Sequence, residues 1–321
     1  MSKEKIIIGL DIEKHSLNLV KLAKGASGEI KLLDFASVSL SPELAPAEKA
    51  RQLENFVRAK GINALAVNVG ISGETVVVRY IDLPKMKKNE ISQALAYEAQ
   101  QYIPFKMEEV IFDFHPLNVA PTGNNRMKVL LVAAKKQAIL NFIKSIQQAG
   151  LRPNLIDVNS FALINCFTVN GPKVKESDIY AVLNLEFDVV NINILQGGLP
   201  FFTRDISLEE ANAISAAKGE AKAELFAPAM PLLASLIREV KISIDYFESE
   251  FEKQVPILYL SGAGAKFPEL VQAFSSQLGR EVLLWDPLRT FAVDAALGDR
   301  QLLKDTSIQL ALASGLALRG I

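Results

Sequence analysis

Short apolar runs separated by polar turns open the chain. Residues 6–10, 17–22 and 30–38 alternate or cluster apolar side chains, as three consecutive antiparallel strands do. Residues 47–60 place Leu53, Phe56 and Val57 at helical spacing among charges, and Gly61 stands where a helix ends. Runs at 64–69 and 75–81, around Gly70 and Gly73, predict two more strands. The stretch 89–102 predicts an amphipathic helix carrying Ile91, Leu95, Tyr97 and Glu98 and stopped by Pro104. Strands over 110–117 and 127–134 are expected across a turn at 121–125, followed by a helix over 136–149 that Gly150 closes.

The polar stretch 171–177 interrupts this order, and the opening pattern then returns at 179–185, 189–195 and 199–206. A three-strand plan repeated about 170 residues later is what two halves of one ancestral domain leave behind. Residues 227–252 carry Leu232, Leu233, Leu236, Ile237, Val240, Ile244 and Phe247 at helical spacing, the core stripe of a long helix. A buried-type strand at 257–260 leads into Ser261-Gly262-Ala263-Gly264-Ala265 and a helix over 268–278. Strand, glycine turn and helix suit either a nucleotide phosphate or a tight packing turn.

Composition narrows the class. The chain has 321 residues, 50% of them hydrophobic and 22% charged, enough for two well-packed lobes. Its 35 Lys and Arg against 36 Asp and Glu create no broad field for nucleic acid or anionic lipid. The one cysteine, Cys166, lies in the apolar segment 161–167, which excludes an internal disulfide, fits a reducing cytoplasm and reads as a buried small hydrophobe. His15 and His115 have no Cys, His or Ser neighbour at a catalytic spacing, so neither a triad nor a metal site is expected. The N-terminal run is too short for a signal peptide, and no stretch has the about 20 apolar residues of a membrane span.

Gly9-Leu10-Asp11-Ile12, Asn68-Val69-Gly70-Ile71-Ser72-Gly73, Tyr102-Ile103-Pro104-Phe105 and Leu260-Ser261-Gly262-Ala263-Gly264-Ala265 together resemble the PilM family of type IV pilus assembly proteins, nearly end to end. The pieces 110–114, 149–153, 286–288 and 315–319 add to the resemblance. The family is similar to the division protein FtsA. The resemblance therefore implies an α/β, actin-like (ribonuclease H-like) two-lobed fold, with lobes at 1–170 and 171–321. An FtsA-type subdomain would be inserted over about 64–153, and the C-terminal helix 307–319 would return to the first lobe. It also implies ATP and Mg between the lobes, and a partner, the short cytoplasmic N-terminal tail of a PilN-like inner-membrane protein. That partner would bring the protein to the inner membrane from the cytoplasm. A pilus motor ATPase and further copies of the chain are additional expected partners.

Actin-like ATPases hold phosphates with two hairpin turns whose glycines expose backbone N–H groups, beside an Asp that organises the metal. Carried onto this sequence, nucleotide binding would fall to Asp11, Ser16, Gly262 and Gly264. The resemblance breaks at the turns themselves. Glu13 stands where the family has glycine after Ile12, Asn184-Leu185-Glu186 replaces an Asp-Ile-Gly, and Glu209 and Glu210 follow the third strand in place of paired glycines. A carboxylate about 4 Å from a phosphate costs roughly 4 kcal/mol at an effective dielectric near 20, so a scaffold with an inert nucleotide site is expected. The alternatives are an ATP-dependent switch, kept open by Asp11 and the Gly262 turn, and a component similar to GspL of type II secretion. An FtsA-like filament is disfavoured, since no amphipathic membrane helix follows Arg319.

For the partner, Val76, Val78 and Tyr80 with Tyr102, Ile103, Pro104 and Phe105 are the expected groove, taking an extended peptide by strand addition or in apolar pockets. The same aromatic rings also suit a helix cap and a core. Lys85, Lys87 and Lys88 fit either acidic partner residues or plain solvation.

Overall fold

The computed structural model describes residues 5–41, 43–62, 65–117, 126–186, 189–207, 230–298 and 300–321. It divides into two compact units, Met1–Ile71 with Ile146–Ile321, and Ser72–Ser145. The turn expected at 121–125, the start of the helix expected from 227, and Glu209 and Glu210 lie outside the described residues.

In the larger unit, β1 (Lys5–Ile12), β2 (Ser16–Lys24) and β3 (Ile30–Ser39) form an antiparallel meander. Next comes α1 (Pro46–Ala59), where Pro46 presets the first turn, the Glu48 carboxylate accepts the Ala45 N–H at 3.2 Å, and Leu53, Phe56 and Val57 are buried. It leads to β4 (Ala66–Ile71). The smaller unit holds β5 (Val76–Pro84), α2 (Lys88–Glu98), β6 (Val110–Pro116) and β7 (Arg126–Lys135), and α3 (Lys136–Gln148) runs out of it. The chain continues through β8 (Arg152–Val158), α4 (Asn159–Asn170), β9 (Ile179–Leu185), β10 (Val189–Gln196), β11 (Leu199–Ser207) and α5 (Met230–Phe251). It ends with β12 (Ile257–Ser261), α6 (Pro268–Leu278), β13 (Glu281–Leu284), β14 (Ala292–Val293), α7 (Arg300–Thr306) and α8 (Ala311–Leu318).

The two sheets of the larger unit share one plan. The first runs β14-β3-β2-β1-β4-β8 and the second β11-β10-β9-β12-β13. In each, the first strand of the meander pairs parallel with a later strand, β4 on β1 and β12 on β9, and a second parallel strand completes that side, β8 and β13. Each sheet with its helices is one lobe. Since β4 and β8 belong to the first sheet, the separate unit Ser72–Ser145 is shorter than the 64–153 stretch read as the insert. β8 escaped the pattern reading because its run Arg-Pro-Asn-Leu-Ile-Asp-Val breaks the alternation, and Pro153 is tolerated there because β8 is an edge strand.

Between the sheets lie α4 and α8. One side of α8 packs on the first sheet through Leu310, Ala313 and Ala317 against Val20, Leu22, Leu32 and Phe35. The other side meets α4 through Ala311 and Leu312, which join Leu163, Cys166, Phe167, Tyr180 and Trp285. The backbones come close on both sides. A Cβ on Gly9 of β1 would lie 2.0 Å from the Ala313 carbonyl oxygen, and one on Gly315 would lie 1.8 Å from the Ala162 carbonyl oxygen. Asn68 of β4 closes the end of α8, its Nδ2 donating to the Leu316 and Arg319 carbonyls at 2.9 Å each. Arg319 then makes a two-pronged ion pair with the Asp157 carboxylate. The far face of the second sheet is covered by α5 and α6, with Phe247 and Phe274 fully buried.

Three outcomes follow from this packing. Gly315→Ala and Gly9→Ala lose about 3 kcal/mol or more in urea unfolding, since the added methyl meets backbone, whereas Gly298→Ala, with no described atom within 4 Å of the new Cβ, stays within about 0.5 kcal/mol. Native Cys166 resists a thiol reagent until the chain is unfolded, because burial raises its pKa and no reagent reaches the sulfur. Burial also pushes Tyr180 up to about 12, so both groups bind protons more tightly folded than unfolded. The melting temperature is therefore flat through neutrality and falls as pH rises above about 9, and less steeply in Tyr180→Phe.

Candidate functional site

The two meanders bring matching rows of polar side chains to the space between the lobes. In the first, Asp11, Asn18 and Ser37 sit side by side on β1, β2 and β3. Asn18 Nδ2 donates to the Asp11 carboxylate at 3.1 Å and to Ser16 Oγ at 3.2 Å, and Ser37 Oγ donates to Asn18 Oδ1 at 2.7 Å. Gln309, just before α8, donates to Ser37 Oγ at 2.6 Å. Asp11 is 1% exposed, so its carboxyl group is met by these neighbours rather than by water.

The matching row of the second lobe is Asn184, Asn191 and Asp205 on β9, β10 and β11. Here the carboxylate stands on the third strand instead of the first. Asn191 Nδ2 donates to Asp205 Oδ1 at 2.6 Å, while Asn184 Nδ2 donates to Glu186 Oε1 at 3.1 Å and Asn184 Oδ1 accepts from Ser261 Oγ at 3.0 Å. Nothing in the sequence pattern singles out Asp205, which lies in an ordinary Thr-Arg-Asp-Ile run. Only the strand register places it in the row.

Glu13 and Glu186 occupy the same place in the two hairpins, each with its N–H donating to the residue three positions on, Ser16 and Val189, at 2.9 and 3.1 Å. Glu186 is buried at 6% exposure. Glu13 reaches the start of α4, where Asn159 Nδ2 donates to its Oε1 at 2.9 Å. The next residue, Ser160, donates to Asp205 Oδ1 at 3.3 Å.

The glycine turn after β12 is spent on packing. Gly262 has φ +92°, and a Cβ there would lie 2.5 Å from the Leu185 carbonyl oxygen, while one on Gly264 would lie 3.1 Å from Leu185 Cβ. The Gly262 N–H donates to the Ile308 carbonyl at 2.8 Å. Lys266, the last residue of the turn, is held below the usual lysine range by desolvation, against the pull of the Asp305 and Glu186 carboxylates. Among the described residues, no group of three or more His, Cys, Asp and Glu side chains is placed to share a metal ion.

The seven residues expected to line a partner groove all belong to the smaller unit, but on different surfaces. Its sheet runs β5-β7-β6. One face carries Ile81, Leu83, Val129, Leu131 and Ala133 and is covered by Ile91, Leu95 and Ala99, with Ile103 in the same core at 3% exposure. Tyr102 and Phe105 pack on that core, Lys135 Nζ lies 4.4 Å above the Phe105 ring, and Pro104 is exposed. Val76, Val78 and Tyr80, half-buried, alternate with Val77 and Ile81 on β5 and therefore point to the opposite face, beside Leu130, Val132 and Ala134. Ile111 on the edge strand β6 extends that face and is 52% exposed.

A family model described as "Type IV pilus assembly protein PilM" matches residues 9–321. Among solved structures, a chain of a "PilM-PilN type IV pilus biogenesis complex" is similar at a TM-score of 0.83 and 25% identity, covering 98% of this chain and 98% of that one. The ethanolamine utilization protein EutJ from Carboxydothermus hydrogenoformans is similar at a TM-score of 0.51 and 13% identity, over 98% of this chain and 90% of that one. A Bacteroides thetaiotaomicron protein described as having an actin-like ATPase fold and unknown function is similar at a TM-score of 0.46 and 12% identity, over 87% of this chain and 90% of that one. The paired sheets are those of an actin-like α/β fold, and with a match over nearly its whole length the chain belongs to the PilM family of type IV pilus assembly proteins.

Proposed function

We propose that the chain is a scaffold of the pilus assembly machine that holds the cytoplasmic N-terminal tail of a PilN-like inner-membrane protein and runs no nucleotide cycle. The partner comes from the family and from the similar chain solved as a PilM-PilN complex. No helix among the described residues is long and apolar enough to cross a membrane. With the tail of an inner-membrane protein as its partner, the chain would sit on the cytoplasmic side of the inner membrane.

One observation carries the inert-cleft half of the proposal: Asp11, Ser16 and Gly262, to which nucleotide binding would fall, and the side chains at the two hairpin turns are engaged by other groups of the chain. Asp11 and Ser16 share Asn18, Asn184 holds Glu186, Asn159 holds Glu13, and the Gly262 amide serves Ile308. A triphosphate would displace these bonds and face two carboxylates at the hairpin turns. At roughly 4 kcal/mol for one such carboxylate at 4 Å, and tenfold in affinity for each 1.4 kcal/mol, a single unrelieved clash removes millimolar binding. Gly262 and Gly264 lie close against Leu185, so their lack of a side chain serves this contact. The residues present do not fit ATP and Mg.

For the tail, the reading favours the β5 face. Val76, Val78 and Tyr80 are apolar, partly exposed and continuous with Ile111, whereas Ile103 belongs to the core. A peptide lying there replaces water on apolar side chains without disturbing the packing beneath.

Millimolar ATP with Mg leaves the melting temperature of the purified chain unchanged. A synthetic partner tail at about 100 times its Kd adds about 2.7 kcal/mol of stability, and a reproducible shift with ATP in the same assay would refute the inert cleft. By fluorescence anisotropy, Tyr80→Ala weakens tail binding at least about tenfold, in keeping with loss of a buried aromatic contact, while its melting temperature without the tail stays close to that of the wild type.

A further inference from the structure

Two adjacent residues at the start of α4 each hold a carboxylate, and the two carboxylates come from different lobes. Asn159 bonds Glu13, in the β1–β2 turn of the first lobe, and Ser160 bonds Asp205, on β11 of the second. Both donors are almost fully buried, at 3% and 1% exposure, so neither bond is readily exchanged for water. The site is built from several directions. Gly70 has no side chain where a Cβ would sit 1.9 Å from Asn159 Oδ1, which lets the amide approach β4 closely. Asn191 Nδ2 donates to the same Asp205 oxygen, Oδ1, at 2.6 Å. The twelve-residue helix α4 also presents its positive end here, which favours negative charge.

We infer that Asn159 and Ser160 form a clamp that fixes the two lobes relative to each other without a ligand, with Glu13 and Asp205 acting as internal anions. This rests on the reading that no nucleotide sets the position of the lobes. The clamp is a conformational device: it keeps the actin-like core of the scaffold in one arrangement whether or not nucleotide is present.

Interlobe distances measured by electron spin resonance test it, with spin labels at Ser27→Cys and Gln277→Cys, both exposed and one on each lobe. Native Cys166 is buried and takes no label. The labelled wild type gives one narrow distance distribution that millimolar ATP and Mg leave unchanged. Asn159→Ala/Ser160→Ala broadens it, and the amides of 13–16 and 203–207 exchange with deuterium about tenfold faster, the effect of losing one net hydrogen bond. Glu13→Gln keeps an acceptor oxygen but loses the charge and falls between the wild type and Glu13→Ala, which follows the double variant at 13–16. Should the double variant not fold, the contrast between Glu13→Gln and Glu13→Ala decides, since that side chain sits partly exposed in a turn. A folded double variant with wild-type distances and exchange overturns the clamp alone. A wild-type distance that moves on adding ATP and Mg overturns the inert-cleft reading beneath it.

Discussion

The structure depends on the depth at which α8 is set between β1 and α4. From Ala311 to Ala317 every residue of this helix is buried, and it touches backbone on both sides, over Gly9 and at Gly315. An added methyl at either contact would overlap an oxygen, so the helix cannot retreat without opening a gap or advance without a clash. Through α8, residues distant in sequence come to share one core, Val20 and Phe35 on one side and Phe167 and Trp285 on the other. Asn68 and Asp157, on neighbouring parallel strands, secure its end by satisfying carbonyls and the charge of Arg319.

That wedge sets the distance between the two meanders, and so the chemistry of the space they enclose. Two polar rows face it, and in both a carboxylate is stabilised by an asparagine of the middle strand. Buried polar groups are costly unless paired, and here the chain supplies the partners itself. Asn18 holds Asp11, Gln309 reaches Ser37, and Asn191 and Ser160 both meet Asp205, so these polar side chains find their partners within the chain. Lys266 beside Glu186, with its proton loosened by desolvation, belongs to the same internally balanced arrangement.

The smaller unit follows a simpler rule. Its three-stranded sheet buries one face under α2 and leaves the other partly apolar and partly exposed. Residues neighbouring in sequence, such as Val77 and Val78, therefore have opposite fates, one in the core and one on the surface. The strand period of two makes that division, and no composition argument reproduces it.

Much was legible in the residues alone. The two meanders, α1, the helix before Pro104, α6 and the buried state of Cys166 follow from periodicity, turn chemistry and apolar context, which act over a few neighbouring residues. The glutamates at 13 and 186 in the two hairpin turns could likewise be read directly, because a hairpin turn is a local object. Tertiary structure alone decided the rest. β8 and β13 carry weak local patterns and exist because a neighbouring strand offers its edge. Gly9, Gly70 and Gly315 are distinguished from other glycines only by what lies opposite them. Asp205 joins the site through strand register, and Asn159 bridges to Glu13 across 146 positions of sequence. Propensity is a property of short segments, whereas close approach and charge pairing are properties of segments that meet only when the chain has folded.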